Sequence, residues 1–410
     1  MSAMSIPLPA AAHRLLAART VISLGQGAMG VDFALYARAL HWSPGFLGAV
    51  VGAGLLFGGL LTGAAGPLSD RFGRKPFMLV YLAAVVTAAA LAVLSAQTAV
   101  VVGAAIVAGF GRGAVGVPGL FGAVQQAWLS DHTAGPTLNR VLARNAALGF
   151  FADAVGTFLG GLPHLWRGVL PGALGYRPLF ALVAMATLLS LVLLAWVPER
   201  KRMPRTQAVP PEAAREQATE NRLLARLAGI NALNGIGIGL AGPLLSWWLA
   251  ARFGAGPGQI GPAIGLVLLA SGCATLMAGQ LAARYGMVRM VVAMRSAGLA
   301  LMVAMPFAPT FGWAIGAYAA RTVLNRGTAG QRQALVLGAV RGHRRGLAAS
   351  VSGVSTQLPR AIGPWLAGLM FGAGWFAAPF LLAAVFQGAY LALYRSVFAE
   401  VDRKIARRPA

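Results

Sequence analysis

Apolar runs of about 20 residues follow one another along almost all of this 410-residue chain. Each is long enough to cross a hydrocarbon layer roughly 30 Å thick as a helix. No other feature narrows the fold as far. Lipid offers the backbone no water, so a spanning segment closes its hydrogen bonds within a helix or around a closed barrel. The period-two alternation of a barrel strand is absent from these runs. The expectation is an all-α polytopic membrane protein. Composition agrees: 58% of residues are hydrophobic and 11% charged, where a soluble domain has about 25% charged.

The spans read as 15–38, 46–69, 76–95, 99–129, 141–163, 179–197, 223–250, 260–283, 288–307, 310–338, 347–372 and 376–397. One polar stretch, Pro198 to Arg222, divides these twelve into six and six. It holds Pro204, Pro210, Pro211 and four of the glutamates, and reads as a linker. Residues 1–197 then form an N-terminal six-helix bundle, 198–222 the linker and 223–410 a C-terminal six-helix bundle. The first apolar segment runs too long for a signal-peptide core, so the first helix reads as the insertion signal. Arg71, Arg74, Lys75, Arg140, Arg144, Arg200, Lys201, Arg284, Arg289, Arg341, Arg344 and Arg345 crowd alternate loops, whereas the opposite loops carry only Arg38, Arg167, Arg177 and Arg252. Basic loops stay cytoplasmic. Both termini are therefore expected in the cytoplasm and the chain in a bacterial inner membrane. The same placement accounts for the net charge of +24 without a nucleic-acid partner. The lone Cys273 has no disulfide partner and reads as packing; Trp247 and Trp248, near a span end, read as interfacial belt residues.

The halves share features at matching places. After span 2 comes Gly66-Pro67-Leu68-Ser69-Asp70-Arg71-Phe72-Gly73-Arg74; after span 8 comes Gly279-Gln280-Leu281-Ala282-Ala283-Arg284-Tyr285-Gly286-Met287. Arg112 in span 4 has a counterpart in Arg321 in span 10. A duplicated six-helix unit places a binding site near the midplane between its halves, and rocking of one half on the other gives alternating access.

Gly66, Leu68, Asp70, Arg71, Gly73, Arg74 and Lys75 match in order the loop signature of the major facilitator superfamily, and on them the chain resembles that family of secondary transporters. Glycines let two helices turn tightly, and Arg and Lys hold the loop on the cytoplasmic side. The resemblance implies a gating motif in which Asp70 meets the start of span 11 and locks the outward-facing state. Arg112 and Gly116 fit the family's Arg-x-x-x-Gly pattern, which the resemblance associates with proton transfer. Exporters of the family often carry Gly-Pro and then Gly-Gly in span 5; Gly156 and Gly160-Gly161 are present, with Thr157 in place of the proline. Gly-x-x-x-Gly serves close helix packing equally well.

Among the ten acidic residues, only Asp32 and Asp153 fall inside predicted spans, and the histidines fall at ends or loops. A carboxylate proton carrier is therefore Asp32 or Asp153. Arg112, Arg321, Arg326 and Arg360 also lie within spans, with Arg295 and Arg332 nearer the ends. A lone charge at the bilayer centre costs about 2.5–3.5 kcal/mol on insertion scales, so such groups pair or face a wet cavity. Four arginines against two aspartates leave positive charge for an anionic substrate to meet. Arg326, nearest the middle of its span, with Arg321 and Arg360, is the expected substrate anchor, and Arg112 the group that tunes the carrier's proton affinity. Asn231 and Asn234 share a helix face and, with Gln26 and Gln357, are candidate cavity residues.

No Walker loop, metal-ligand spacing or nucleophile–base pairing stands out, so neither an enzyme nor a cofactor is expected. The expected function is secondary active transport of a small organic solute by alternating access, in a monomer, with protons and the lipid bilayer as its other partners. Export by proton antiport is the first reading. Uptake of an organic anion, proton-coupled or facilitated, is the alternative, supported by the missing proline and the surplus arginines. A non-transporting membrane sensor on the same fold is a remote third.

Overall fold

The computed structural model describes residues 10–112, 120–133, 135–199, 213–285, 287–338 and 345–406. Among them are α1 (Ala10–Ala39), α2 (Pro44–Phe72), α3 (Arg74–Leu94), α4 (Thr98–Ala108), α5 (Leu120–His132), α6 (Gly135–Leu159), α7 (Arg177–Ala195) and α8 (Ala213–Ala241). The rest are α9 (Leu245–Phe253), α10 (Pro257–Tyr285), α11 (Met287–Ala304), α12 (Phe311–Gly327), α13 (Ala329–Gly338), α14 (Arg345–Arg360), α15 (Ile362–Gly372) and α16 (Ala378–Ala406). The described residues contain no strand. Eight segments among them are long and apolar enough to cross a membrane.

Helix starts follow local chemistry. Ser43 Oγ accepts the Phe46 N–H at 3.2 Å and Pro44 opens α2, satisfying one amide and removing another from need. Thr310 caps α12 through Trp313 in the same way.

Four crossings expected as single helices are broken in two. α4 stops because Gly109 and Gly111 take φ of 71° and 74°, a left-handed backbone that glycine adopts at little cost. Between α8 and α9 stands Pro243, which has no N–H to continue a helix. α12 gives way to α13 at Thr328, whose hydroxyl donates to the Asn325 carbonyl at 2.8 Å. α14 gives way to α15 at Ala361, just after Pro359. With each broken pair taken as one crossing, the described helices make twelve. α8 begins at Ala213, inside the stretch read as linker.

α1 packs on α6 and α7 in one bundle, and α8 on α14 and α16 in the other. The bundles meet where α2 lies on α14 and α15, and where α6 lies on α10. Both seams use one motif. Pro44-Gly45-x-x-Gly48-x-x-x-Gly52 opens α2, and Pro257-Gly258-x-x-Gly261-x-x-x-Gly265 opens α10. A methyl group at position 48 would sit 2.1 Å from the Pro364 carbonyl oxygen, and one at 52 would sit 2.6 Å from that of Ala361. At 261 it would meet Gly161 N at 2.5 Å, and at 265 the Phe158 ring at 2.7 Å. Bare backbone therefore touches backbone or ring along both seams, the close approach that glycine permits in membranes. Both motifs lie at the end of the helices opposite the start of α1 and the end of α16, here termed the far face, and hold the two bundles in close contact there.

Two sequence expectations are corrected by the packing. Trp248 is fully buried against Phe253 and Phe380 rather than at an interface. Cys273 is exposed rather than packed in the core.

Candidate functional site

α1 carries Arg19, Thr20, Ser23, Gln26 and Asp32 along an otherwise apolar inner length. Arg19, Ser23 and Gln26 face a cavity also lined by Gly58 and Thr62 of α2, Asp153 of α6, Arg112 beyond α4, and Gln357 and Arg360 of α14. It holds about 70 Å³, far below the roughly 300 Å³ of a drug-sized pocket. Most of the wall belongs to the first bundle; α14 closes it from the second.

Asp153 is fixed by a close crossing of α1 and α6. A methyl group at Gly27 would lie 2.2 Å from the Asp153 carbonyl oxygen, and one at Gly156 would lie 1.9 Å from that of Leu24. Thr157 Oγ1 donates to the carbonyl of Asp153 at 2.8 Å and approaches that of Gly27 at 3.3 Å. Gly156 and Thr157 thus pack this crossing. The Asp153 carboxylate feels the charges of Arg326 and Arg19, and its Oδ2 has no hydrogen-bond partner among the described residues.

Three arginines line the cavity: Arg19, Arg112 and Arg360. Arg360 is 2% exposed, and its Nη2 donates to the Arg112 carbonyl at 2.8 Å, from one bundle to the other. Arg326 stands in the last turn of α12 with its guanidinium 5.4 Å from the Phe150 ring centre, a cation–π contact across the bundles. Its charge reaches both Asp153 and Arg360. Buried charge of one sign thus outweighs the other around a single carboxylate, an arrangement that attracts a small anion.

Several sequence candidates lie elsewhere. Asp32 is fully buried and off the cavity wall; its Oδ2 rests against Gly160, where a methyl group would come within 2.0 Å. Arg321 is buried in the second bundle beside Tyr318 and Arg295, not on the cavity. Asn234 is not a free ligand: its Oδ1 accepts Arg295 Nη2 at 2.8 Å. Asn231 donates to Ser352 at 3.1 Å and tethers α8 to α14. Arg295, read as near a span end, is buried in α11 and lies 4.7 Å over the Tyr390 ring. The cations whose charge acts on Asp153 are Arg326 and Arg19, while Arg112, expected to tune it, lines the same cavity. Gln26 and Gln357 do face the cavity.

The α2–α3 turn carries the loop signature. Gly66 lies in α2, Gly73 turns with φ of 91°, Arg71 stacks on Phe72, and buried Arg74 donates to the Ala127 carbonyl. The Lys75 N–H donates to Glu199 Oε1 at 3.3 Å, so a carboxylate from the end of the sixth span meets the start of α3, where the helix dipole favours it. The Asp70 side chain lies outside the described residues, as do those of the matching turn after α10.

Sequence reasoning misses Arg19 and Tyr318; it reads Glu199 only as part of the linker and Arg295 only as a residue near a span end. Arg19 and Glu199 sit at predicted span ends, where a charge carries no signal; Tyr318 reads as one more aromatic in an apolar run.

A family model described as Major Facilitator Superfamily matches residues 15–226 and again 227–409. The chain belongs to the major facilitator superfamily. The double match follows the internal repeat, and members of the superfamily are transporters. No curated protein matches the chain significantly by sequence. Among solved structures, a bacterial homologue of the human lysosomal transporter Spinster, inward-facing and unoccupied, is 12% identical over 98% of this chain and 99% of its own, with a TM-score of 0.73. A D-xylose–proton symporter is 16% identical over 92% and 96%, with a TM-score of 0.67. The human organic anion transporter MFSD10 is 20% identical over 94% and 99%, with a TM-score of 0.60. At these identities the likeness is one of fold. This superfamily member is thus a multi-pass membrane protein for secondary transport.

Proposed function

We propose that this chain is a proton-coupled symporter of a small organic anion. The observation that carries the reading is one carboxylate, Asp153, in the field of Arg326 and Arg19, in a cavity that also holds Arg112 and Arg360. Ionised Asp153 and an anionic substrate compete for the same cations. Protonating Asp153 releases those cations, so proton and anion bind more tightly together than either does alone. That positive coupling is the requirement for symport. Export by antiport needs the opposite, a proton and a substrate that exclude each other, and a cationic substrate would supply it. The surplus of arginines points away from that.

The proposed roles are Asp153 as proton carrier, Arg19, Arg112 and Arg360 as anion contacts, Arg326 as the cation shared with Asp153, and Gln26 and Gln357 as polar lining. Asp70, Arg71 and Arg74 serve as the cytoplasmic gate. The first bundle, residues 1–197, and the second, which α8 opens at Ala213, are the rocking units, and a single chain carries the whole path. With both termini cytoplasmic in a bacterial inner membrane, the far face, where the bundles are in close contact, is the outer one. A symporter and an organic anion transporter among the fold neighbours support the pairing of chemistries. One proton entering with one monovalent anion carries no net charge, so the pH gradient rather than the membrane potential drives uptake, each tenfold difference in proton concentration contributing about 1.4 kcal/mol.

Growth of a deletion strain and an expressing strain on anionic nutrients and toxic anions finds the substrate. Proton flux in proteoliposomes then tests the coupling: external anion should draw protons into the lumen. Proton release on anion entry would favour antiport.

A further inference from the structure

Arg112 follows a break in span 4. The Gly109 N–H and the Phe110 N–H both return to the Ala105 carbonyl, closing the end of α4. The Arg112 side chain folds back over that end. Its Cζ and Nε lie 2.0 Å from where a side chain at Gly109 would begin, and its Nη2 lies 2.7 Å from the same point at Gly58. Two glycines, one on α2 and one ending α4, thus form a slot that only a missing side chain leaves open. Within it Arg112 Nε is buried and has no hydrogen-bond partner among the described residues. What favours a cation there is the negative end of the α4 dipole. That is weaker than a carboxylate or phosphate taken by two guanidinium N–H groups at once.

We propose that Arg112 is a parked anion clamp: it rests on the Gly58–Gly109 slot while the cavity is empty and swings onto the anionic group of the substrate. The inference rests on the reading of the cavity as an anion site. The substrate class is a small solute with a compact anionic group of two or more oxygens, met by Arg112 from one bundle and Arg360 from the other. Such an anion also screens the repulsion between those two guanidinium groups, whose charges already act on each other. Parking lowers affinity, because part of the binding energy is spent on leaving the slot.

The test uses the full-length protein in lipid nanodiscs with phenylglyoxal, which modifies accessible guanidinium groups, and mass spectrometry to locate each modified arginine. Gly58→Ala places a methyl group where Nη2 rests, on a helix that accepts alanine, and displaces only the flexible end of Arg112. The expected result is a rise of about fivefold in labelling at Arg112, with Arg19 and Arg360 unchanged as controls in the same cavity. Benzenesulfonate, methyl phosphate or succinate should suppress that rise, and benzenesulfonamide should not. An unchanged Arg112, or a rise shared equally with Arg19 and Arg360, overturns the parking. A rise that none of the three anions suppresses overturns the clamp. Proton flux with the unmodified chain is a separate readout, so failure of the labelling and failure of the symport reading are distinguishable.

Discussion

Asp153 can hold a proton or share two cations, and its neighbour Thr157 is spent on backbone carbonyls. Asp153→Asn copies the neutral state in shape. It should keep substrate exchange at equilibrium and lose accumulation driven by a pH gradient, as measured by counterflow against gradient-driven uptake in proteoliposomes. Loss of both would return Asp153 to a structural role. Asn234 makes a contrasting case. Asn234→Ala strips the acceptor from buried Arg295 Nη2 and should destabilise the protein by about 1–3 kcal/mol, seen as a lower melting temperature in detergent. Scarcity made Asp153 legible in the sequence: with ten acids in the chain, elimination left two within spans. What elimination lacked was depth and direction. Asp32 faces Gly160 rather than the cavity. The shared face of Asn231 and Asn234 was legible too, but not the partners it meets, because Ser352 and Arg295 lie on other spans.

Helices α2 and α10 each carry the Pro-Gly-x-x-Gly-x-x-x-Gly run that lets them touch the opposite bundle. Gly261→Leu forces a side chain into the Gly161 backbone and should hold the far face apart. Transport should fall to background, while a cysteine placed near that face, in a chain lacking Cys273, becomes more reactive to an impermeant maleimide. Unchanged reactivity would mean that this seam does not seal. The number and order of the crossings were legible because hydropathy averages over about 20 residues. The same averaging hides the breaks at Gly109, Pro243, Thr328 and Ala361, since a short turn of mostly small or apolar residues barely lowers the mean. The glycine run itself was open to view, yet in a chain with 54 glycines only the contacts single it out.

For the whole molecule, alternating access asks that the two bundles part at the far face while closing on the other side, around charges held between them. The double family match and the paired seams describe such a machine; the cavity arginines and Asp153 give it a sign. External acidification should raise anion uptake and leave exchange at equal pH unaffected, because only net movement needs a proton with each anion. The most direct measurement is the direction of proton movement in proteoliposomes carrying a lumenal pH dye, challenged with the identified anion or, before that, with sulfonates and phosphate esters, whose low proton affinity keeps them from carrying protons through lipid unaided. The account expects lumenal acidification with the wild-type protein, and none with Asp153→Asn or Arg360→Gln. Lumenal alkalinisation on anion entry, or acidification that survives Asp153→Asn, would contradict it.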